Sequence, residues 1–159
     1  MIIKGITDED FVNYKKSSMM IAFPYCTFKC DKECGRVVCQ NSPLANEPNI
    51  EIETEQLIER YLNNGITEAI VCAGLEPLDS FDELSKFILY LRDQYHCNDD
   101  VVIYTGYNKE EIPKNHIKEL SNCINVIIKY GRYIPNQEPH YDEVLGVNLA
   151  SDNQYAERL

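Results

Sequence analysis

Four cysteines, Cys26, Cys30, Cys34 and Cys39, fall within fourteen residues, and three more, Cys72, Cys97 and Cys123, are scattered. Thiolates are soft ligands, suited to zinc or to an iron–sulfur cluster. In an oxidising compartment such a group would pair into disulfides. Seven is an odd count, however, and Met1–Phe11 places Asp8, Glu9 and Asp10 where a secretory segment needs apolar residues. Metal binding or catalysis is therefore the expectation. Structural zinc usually takes two close Cys-x2-Cys pairs with a longer gap between them. Here three, three and four residues separate successive cysteines. A four-iron cluster held by three cysteines would leave one iron open to a substrate, as catalytic zinc sites keep an open position.

Other chemistry is sparse. His96, His116 and His140 have no ligand spacing with the cysteines and read as solvated surface residues. Glu51, Glu53, Glu55 and Glu59 read as a solvated face with the usual acidic preference for a helix start. Cys72 reads as core, and Cys97 and Cys123 as incidental. The chain has 159 residues and a net charge of −11, from 26 acidic and 15 basic side chains. That balance argues against nonspecific nucleic-acid binding, which relies on Lys and Arg displacing counterions. No run approaches the ~20 apolar residues of a membrane span. The expectation is a cytoplasmic protein of one domain, residues 1–159, without nucleic-acid or membrane partners.

The elements that must position the cysteines follow from periodicity. Ser18–Phe23 is a short apolar run that predicts a buried strand. Ala69–Cys72, Val101–Tyr104 and Val126–Ile128 predict three more. Between them, Leu57, Ile58, Tyr61 and Leu62 share one helical face after Thr54 as N-cap, and Asn64-Gly65 stops that helix. Ser80 caps a second helix carrying Phe81, Leu84, Phe87, Ile88 and Leu91. Asn108 opens a third running toward Leu120, with Pro113 in its first turn. Tyr130–Leu159 reads mostly as loop.

Strand–loop followed by three helix–strand repeats predicts an α/β fold with mostly parallel strands. There are too few strands to close an eight-stranded barrel, so an open, partial β/α barrel is expected. The unusual residues all directly follow strands. The cysteines follow the first, Gly74-Leu75-Glu76-Pro77 the second, Thr105-Gly106-Tyr107 the third and Gly131-Arg132-Tyr133 the fourth. In parallel α/β folds the loops at the carboxyl ends of strands build the site, so these four should face one cleft.

Cys26-x3-Cys30 after a buried strand resembles the start of the Cys-x3-Cys-x2-Cys signature of radical S-adenosylmethionine (SAM) enzymes. Ala73-Gly74-Leu75-Glu76-Pro77 is similar to their Gly-Gly-Glu-Pro motif. Tyr104-Thr105-Gly106-Tyr107 and Ser151-Asp152-Asn153-Gln154 narrow the resemblance to the activating proteins of anaerobic (class III) ribonucleoside-triphosphate reductases, which are about this short. The likeness runs from about Phe11 to Leu159. Two positions depart from it. The family spacing puts its third cysteine at Glu33, so the third ligand is Cys39, preferred because Cys39-Gln40-Asn41 resembles the end of the family loop, or Cys34. Val38 stands where an aromatic residue is common, and Leu75 replaces the second glycine.

The resemblance implies a radical-SAM type of partial barrel and two cofactors, a [4Fe–4S] cluster and SAM. It implies Cys26, Cys30 and Cys39 (or Cys34) as ligands, with SAM contacts from Gly74, Glu76, Thr105 and Asn153. Glu76 would accept from the SAM ammonium, and Asn153 and Gln154 would close the site or touch the partner. The implied activity is one-electron cleavage of SAM to methionine and a 5′-deoxyadenosyl radical. That radical would take a hydrogen atom from a glycine of the anaerobic ribonucleotide reductase large subunit, with a flavodoxin-like protein as electron donor. Two other readings stay open: another radical SAM enzyme, acting on a different glycyl-radical enzyme or a small molecule, and a non-catalytic cysteine-rich metal-binding protein.

Overall fold

The computed structural model describes residues 1–159. The chain opens with β1 (Ile2–Ile3) and β2 (Gly5–Asp10) and turns back into β3 (Ser18–Phe23). The cysteine segment follows and forms a short helix, α1 (Lys29–Cys34). After a 3-10 turn at Ser42–Asn46 and β4 (Ile50–Glu51), three helix–strand units succeed one another: α2 (Thr54–Leu62) with β5 (Ala69–Gly74), α3 (Phe81–Asp93) with β6 (Asp100–Tyr104), and α4 (Lys114–Ser121) with β7 (Val126–Tyr130). The chain ends with β8 (His140–Asp142), β9 (Val147–Leu149) and β10 (Tyr155–Arg158).

The central sheet has six strands in the order β10-β7-β6-β5-β3-β2. Its four inner strands are parallel, with Ser18 opposite Ala69, Ala69 opposite Asp100 and Val101 opposite Val126. The edge strands β2 and β10 run antiparallel, and the sheet stays open. Consecutive parallel order with right-handed crossovers places the helices on one face. There Leu57, Ile58 and Tyr61 of α2, Leu84, Phe87, Ile88 and Leu91 of α3 and Leu120 of α4 join Met19, Ile21, Phe23, Ile70, Cys72, Val101, Ile103, Val126 and Ile128 in one core. The alternate residues Ala69, Val71, Val102, Ile127 and Ala156 face the other side, packed with Tyr14, Leu145 and Leu149. Burial on both faces explains why the inner strands are apolar throughout rather than alternating.

Several expectations are corrected. The tail is not mostly loop: β10 pairs with β7, and β8 pairs with β9 over the non-helical face. Its organiser is Asp142, whose carboxylate accepts from Leu145 N at 2.8 Å and Ala156 N at 2.9 Å. The helix expected from Asn108 breaks at Pro113. Lys109–Glu111 is a single 3-10 turn closed by a capping box with Asn108, and α4 starts only at Lys114. Proline lacks an N–H and restricts the residue before it, so it begins α4 rather than continuing the turn. Glu53, not Thr54, is the N-cap of α2. Cys97 and Cys123 are core residues, and His116 stacks on Phe81 with ring centroids 3.6 Å apart.

At the amino end of the parallel strands, Asp100 is buried. It accepts from Tyr14 OH at 2.9 Å and pairs with Lys16 at 2.7 Å and Arg158 at 2.6 Å. Burial opposes its charge, but these three donors outweigh it and hold the carboxyl down at about 2. This cluster anchors the end of the sheet opposite the cysteines.

Candidate metal centre

The loops after β3, β5, β6 and β7 gather at the carboxyl ends of the four parallel strands, as that topology requires. The cysteine loop begins at Pro24. Phe28, in left-handed conformation (φ 52°), caps α1, and Gly35 (φ 65°) ends it. The helix buries no residue, so polar contacts must hold it in place.

One such contact decides where Cys39 goes. Asp31 Oδ1 accepts from Val38 N at 2.8 Å and Cys39 N at 2.9 Å, folding the loop back along α1. Burial pushes the Cys26 thiol up to about 11, and charge at Cys39 pushes it the same way. Burial, then charge at Cys39, also raises Cys30. Cys39 thus acts electrostatically on both Cys26 and Cys30. Cys34 sits at the end of α1, one turn beyond Cys30. No three His, Cys, Asp or Glu side chains close to the spacing that would hold a single ion; the thiols share a field, not a point. Backbone N–H groups already address them: Phe28 N donates to Cys26 Sγ at 3.2 Å, and Tyr133 N faces Cys30. Such N–H contacts to sulfur are characteristic of thiolate-bound clusters.

The second loop is welded to the first. Gly74 has φ 89°, and a Cβ there would lie 2.7 Å from Ala22 Cα, so only glycine fits. Its carbonyl accepts from Asn41 Nδ2 at 2.8 Å, which ties the far end of the cysteine loop to this edge. The positive φ falls on Gly74 and not on Leu75, so a leucine in the second-glycine position is unstrained. Leu75 N and Glu76 N then donate to Phe23 O and Tyr25 O, extending the strand pairing past β5. Glu76 is 4% exposed. Its Oε1 accepts from Leu78 N at 3.1 Å and its Oε2 from Gly106 N at 2.8 Å, with the Thr105 hydroxyl beside them. Burial raises its pKa to about 7 against the pull of these donors. Asp79, three residues on, accepts from Thr27 N at 3.0 Å and Tyr107 OH at 2.6 Å.

Thr105 is buried, and its Oγ1 accepts from Tyr107 N at 3.0 Å. Gly106 lies at the centre of the constellation. A Cβ there would be 3.6 Å from Glu76 Oε2, 3.7 Å from Cys30 Sγ and 3.8 Å from Arg132 Cγ. The bare Cα therefore sits among a thiol, a carboxylate and the aliphatic stem of an arginine. From the turn between β9 and β10, Asn153 Nδ2 donates to Arg132 O of the fourth loop at 2.9 Å, while Asn153 Oδ1 is buried without a partner. Gln154 is structural. Its Oε1 accepts from Ala150 N and Ser151 N, and its Nε2 donates to Gly131 O at 3.3 Å. Gly131 (φ 95°) allows that approach, since a Cβ would lie 2.7 Å from Asn153 O.

Sequence reasoning singled out Cys26, Cys30, Cys39, Gly74, Glu76, Thr105 and Asn153, and the structure gathers all of them at this end of the sheet. It missed Lys129 and the partners of Arg132. Lys129 is buried and donates to Gly131 O at 2.7 Å; burial lowers its pKa to about 8 while Glu76 and Cys30 oppose that fall. A lysine inside the apolar run Val126–Tyr130 was the available signal, because lysine is almost never fully buried without a role. An open groove of about 540 Å³, lined by Tyr25, Cys26, Phe28, Ala45 and Leu75 among others, leads from solvent to Cys26.

The thiol donor set fits a thiolate-held iron–sulfur cluster. The sequence profile of the family described as 4Fe-4S single cluster domain matches residues 17–154, most of the chain. No curated protein gives a significant match. No helix is long and apolar enough to cross a membrane.

Proposed function

The chain belongs to the 4Fe-4S single cluster domain family, and from that premise we propose that it is a radical SAM activase that generates a glycyl radical on an anaerobic ribonucleotide reductase. The observation that carries the proposal is that Cys30 Sγ and Glu76 Oε2 both lie beside Gly106, while Asn41 ties the loop of Cys39 to Gly74 O, at one end of a parallel sheet. When bound, a four-iron cluster with one open iron, together with SAM, supplies one-electron carbon–sulfur cleavage and hydrogen-atom abstraction.

The chain's own residues position and shield that chemistry. Cys26, Cys30 and Cys39 hold the iron as thiolates. Asp31 and Asn41 fix the loop that carries the third thiol. Glu76 accepts from the ammonium of SAM in a charge-assisted bond. Lys129, buried with its Nζ donating to Gly131 O, would pair with the SAM carboxylate. The backbone at Gly74 would line the methionine moiety, Thr105 would offer its hydroxyl to the ribose or carboxylate, and the unpartnered Asn153 Oδ1 would accept from a further donor on the ligand. Hydrogen-atom abstraction needs no general acid or base. The partner is the large reductase subunit, whose glycine loop approaches the open sheet from outside, and a flavodoxin-like protein supplies the electron.

The test is anaerobic incubation of reconstituted protein with SAM, a low-potential reductant and the reductase. Formation of 5′-deoxyadenosine and methionine with a glycyl-radical signal on the reductase is expected. Cleavage without that signal would redirect the reading to another radical SAM substrate. One observation favours a second reading, a non-catalytic metal-binding protein: both Glu76 oxygens already accept backbone N–H groups. In that case no SAM is cleaved and Glu76→Ala leaves ligand binding unchanged.

A further inference from the structure

Beside Cys30, four side chains of alternating charge link α1 to the segments of Glu111 and Arg132. Lys29 and Glu33 flank Cys30 on α1. Lys29 Nζ reaches Glu111 Oε1 at 3.3 Å, and Glu33 Oε1 lies 3.3 Å from Arg132 Nε. Glu111 and Arg132 are joined by a two-pronged pair, Nη1 to Oε2 at 2.6 Å and Nη2 to Oε1 at 2.5 Å. Arg132 is 5% exposed although it is an arginine on a loop. Its Cγ and Cys30 Sγ both lie within 4 Å of the position a Gly106 Cβ would take. The Arg132 side chain therefore passes close to the thiol on its way to Glu111, with most of its solvent removed, and Glu111 and Glu33 are the counter-charges of its guanidinium. Charge at Arg132 and at Cys30 each acts on the other, while the Arg132 side-chain bonds hold Glu111 down at about 2, so the carboxylate stays ionised at any working pH.

A cluster that accepts an electron gains negative charge. A fixed cation close to a ligand sulfur favours that state, and a fixed anion opposes it; local net charge and burial are among the factors that set cluster potentials. We infer that Arg132 and Glu111 form an opposed pair that sets the reduction potential of the cluster through Cys30, with Lys29 and Glu33 holding the pair against α1. Neither residue is a ligand; both act as positioning and tuning groups. The inference rests on Cys30 being a cluster ligand, as proposed above.

The pair predicts shifts of opposite sign. Removing the cation in Arg132→Gln makes the cluster harder to reduce. Removing the anion in Glu111→Gln leaves the guanidinium with only the exposed Glu33 as counter-charge and makes it easier. Each change should alter the reduction equilibrium at least tenfold, about 59 mV for one electron. Arg132→Lys keeps the charge and should move the potential less than Arg132→Gln does.

The experiment is a redox titration of anaerobically reconstituted protein, followed by electron paramagnetic resonance, with iron and sulfide content measured on each variant. Opposite shifts at wild-type iron content support the inference. Shifts of the same sign, or none, overturn it, because a purely structural latch would lower iron content in both variants without splitting their potentials. Should Arg132→Gln not retain iron, Glu111→Gln and Arg132→Lys carry the test: a positive shift in Glu111→Gln supports it, and a negative or absent shift overturns it. Failure of the underlying reading is distinct: Cys30→Ala would then hold the cluster as wild type does.

Discussion

Asp31→Ala isolates the step that brings the third thiol home. In the native loop one carboxylate oxygen accepts from Val38 N at 2.8 Å and Cys39 N at 2.9 Å. Hydrogen bonds to a charged group contribute about 1.5–3 kcal/mol each, and the partly exposed setting of these two brings their sum to about 2–3 kcal/mol. Each 1.4 kcal/mol is a factor of ten, so the loop conformation that presents Cys39 should become about 30- to 140-fold rarer. Iron affinity should weaken by that factor, because binding must first restore the conformation. Global stability should barely move, since α1 buries no residue; a change below about 2 °C in Tm is expected. The assay is competitive iron–sulfur reconstitution against a chelator, beside thermal unfolding of the metal-free protein. Asp31→Asn, which keeps one acceptor oxygen, should fall between the two. Wild-type cluster retention in Asp31→Ala would refute the reasoning, and so would a large fall in Tm, which would mean that the carboxylate serves the fold and not the loop.

The two candidate third ligands separate cleanly: Cys39→Ala should abolish the four-iron spectrum and Cys34→Ala should keep it, read by absorbance and iron content. Gly106→Ala should fold normally, because its methyl would meet neighbours at 3.6–3.8 Å, yet it should lose most SAM affinity by filling the gap between Cys30 and Glu76; unchanged affinity by calorimetry would place the ligand elsewhere. Asp100, held at about 2 against 3.8 for a free carboxyl, should contribute about 2 kcal/mol of stability that is fully present above pH 4 and lost as pH falls from about 4 to about 2. Urea unfolding should therefore find Asp100→Asn weaker than wild type at pH 6, with the gap narrowing toward pH 3; a gap independent of pH would refute the assignment.

The parts of the fold that sequence made legible were those whose local pattern and tertiary fate agree. Ile70–Cys72 and Ile127–Ile128 are buried on both faces, so they are apolar without interruption. Leu84, Phe87, Ile88 and Leu91 meet the core at helical spacing. The edge strand β2 was missed because Thr7–Glu9 face solvent and only its backbone pairs with β3. The last strands were missed for a related reason. Three or four residues each, they are fixed by the buried Asp142 carboxylate and by Gln154, contacts that no periodicity encodes. At the site, cysteine spacing and the strand-end positions of Gly74, Glu76 and Thr105 named the participants. What closes the cysteine loop is the reach of Asp31 to Cys39 and of Asn41 to Gly74, and the pairing of Arg132 with Glu111 joins residues twenty-one apart. Such pairings depend on backbone paths and burial that a linear sequence does not display.

The central claim is that three thiols hold a four-iron cluster with one iron open to SAM. Its most direct test is electron paramagnetic resonance on anaerobically reconstituted, reduced protein with and without SAM. The account predicts a reduced four-iron signal whose shape changes when SAM is added, and a signal that ignores SAM in Glu76→Ala. A wild-type signal indifferent to SAM, or no cluster signal at all, would contradict it.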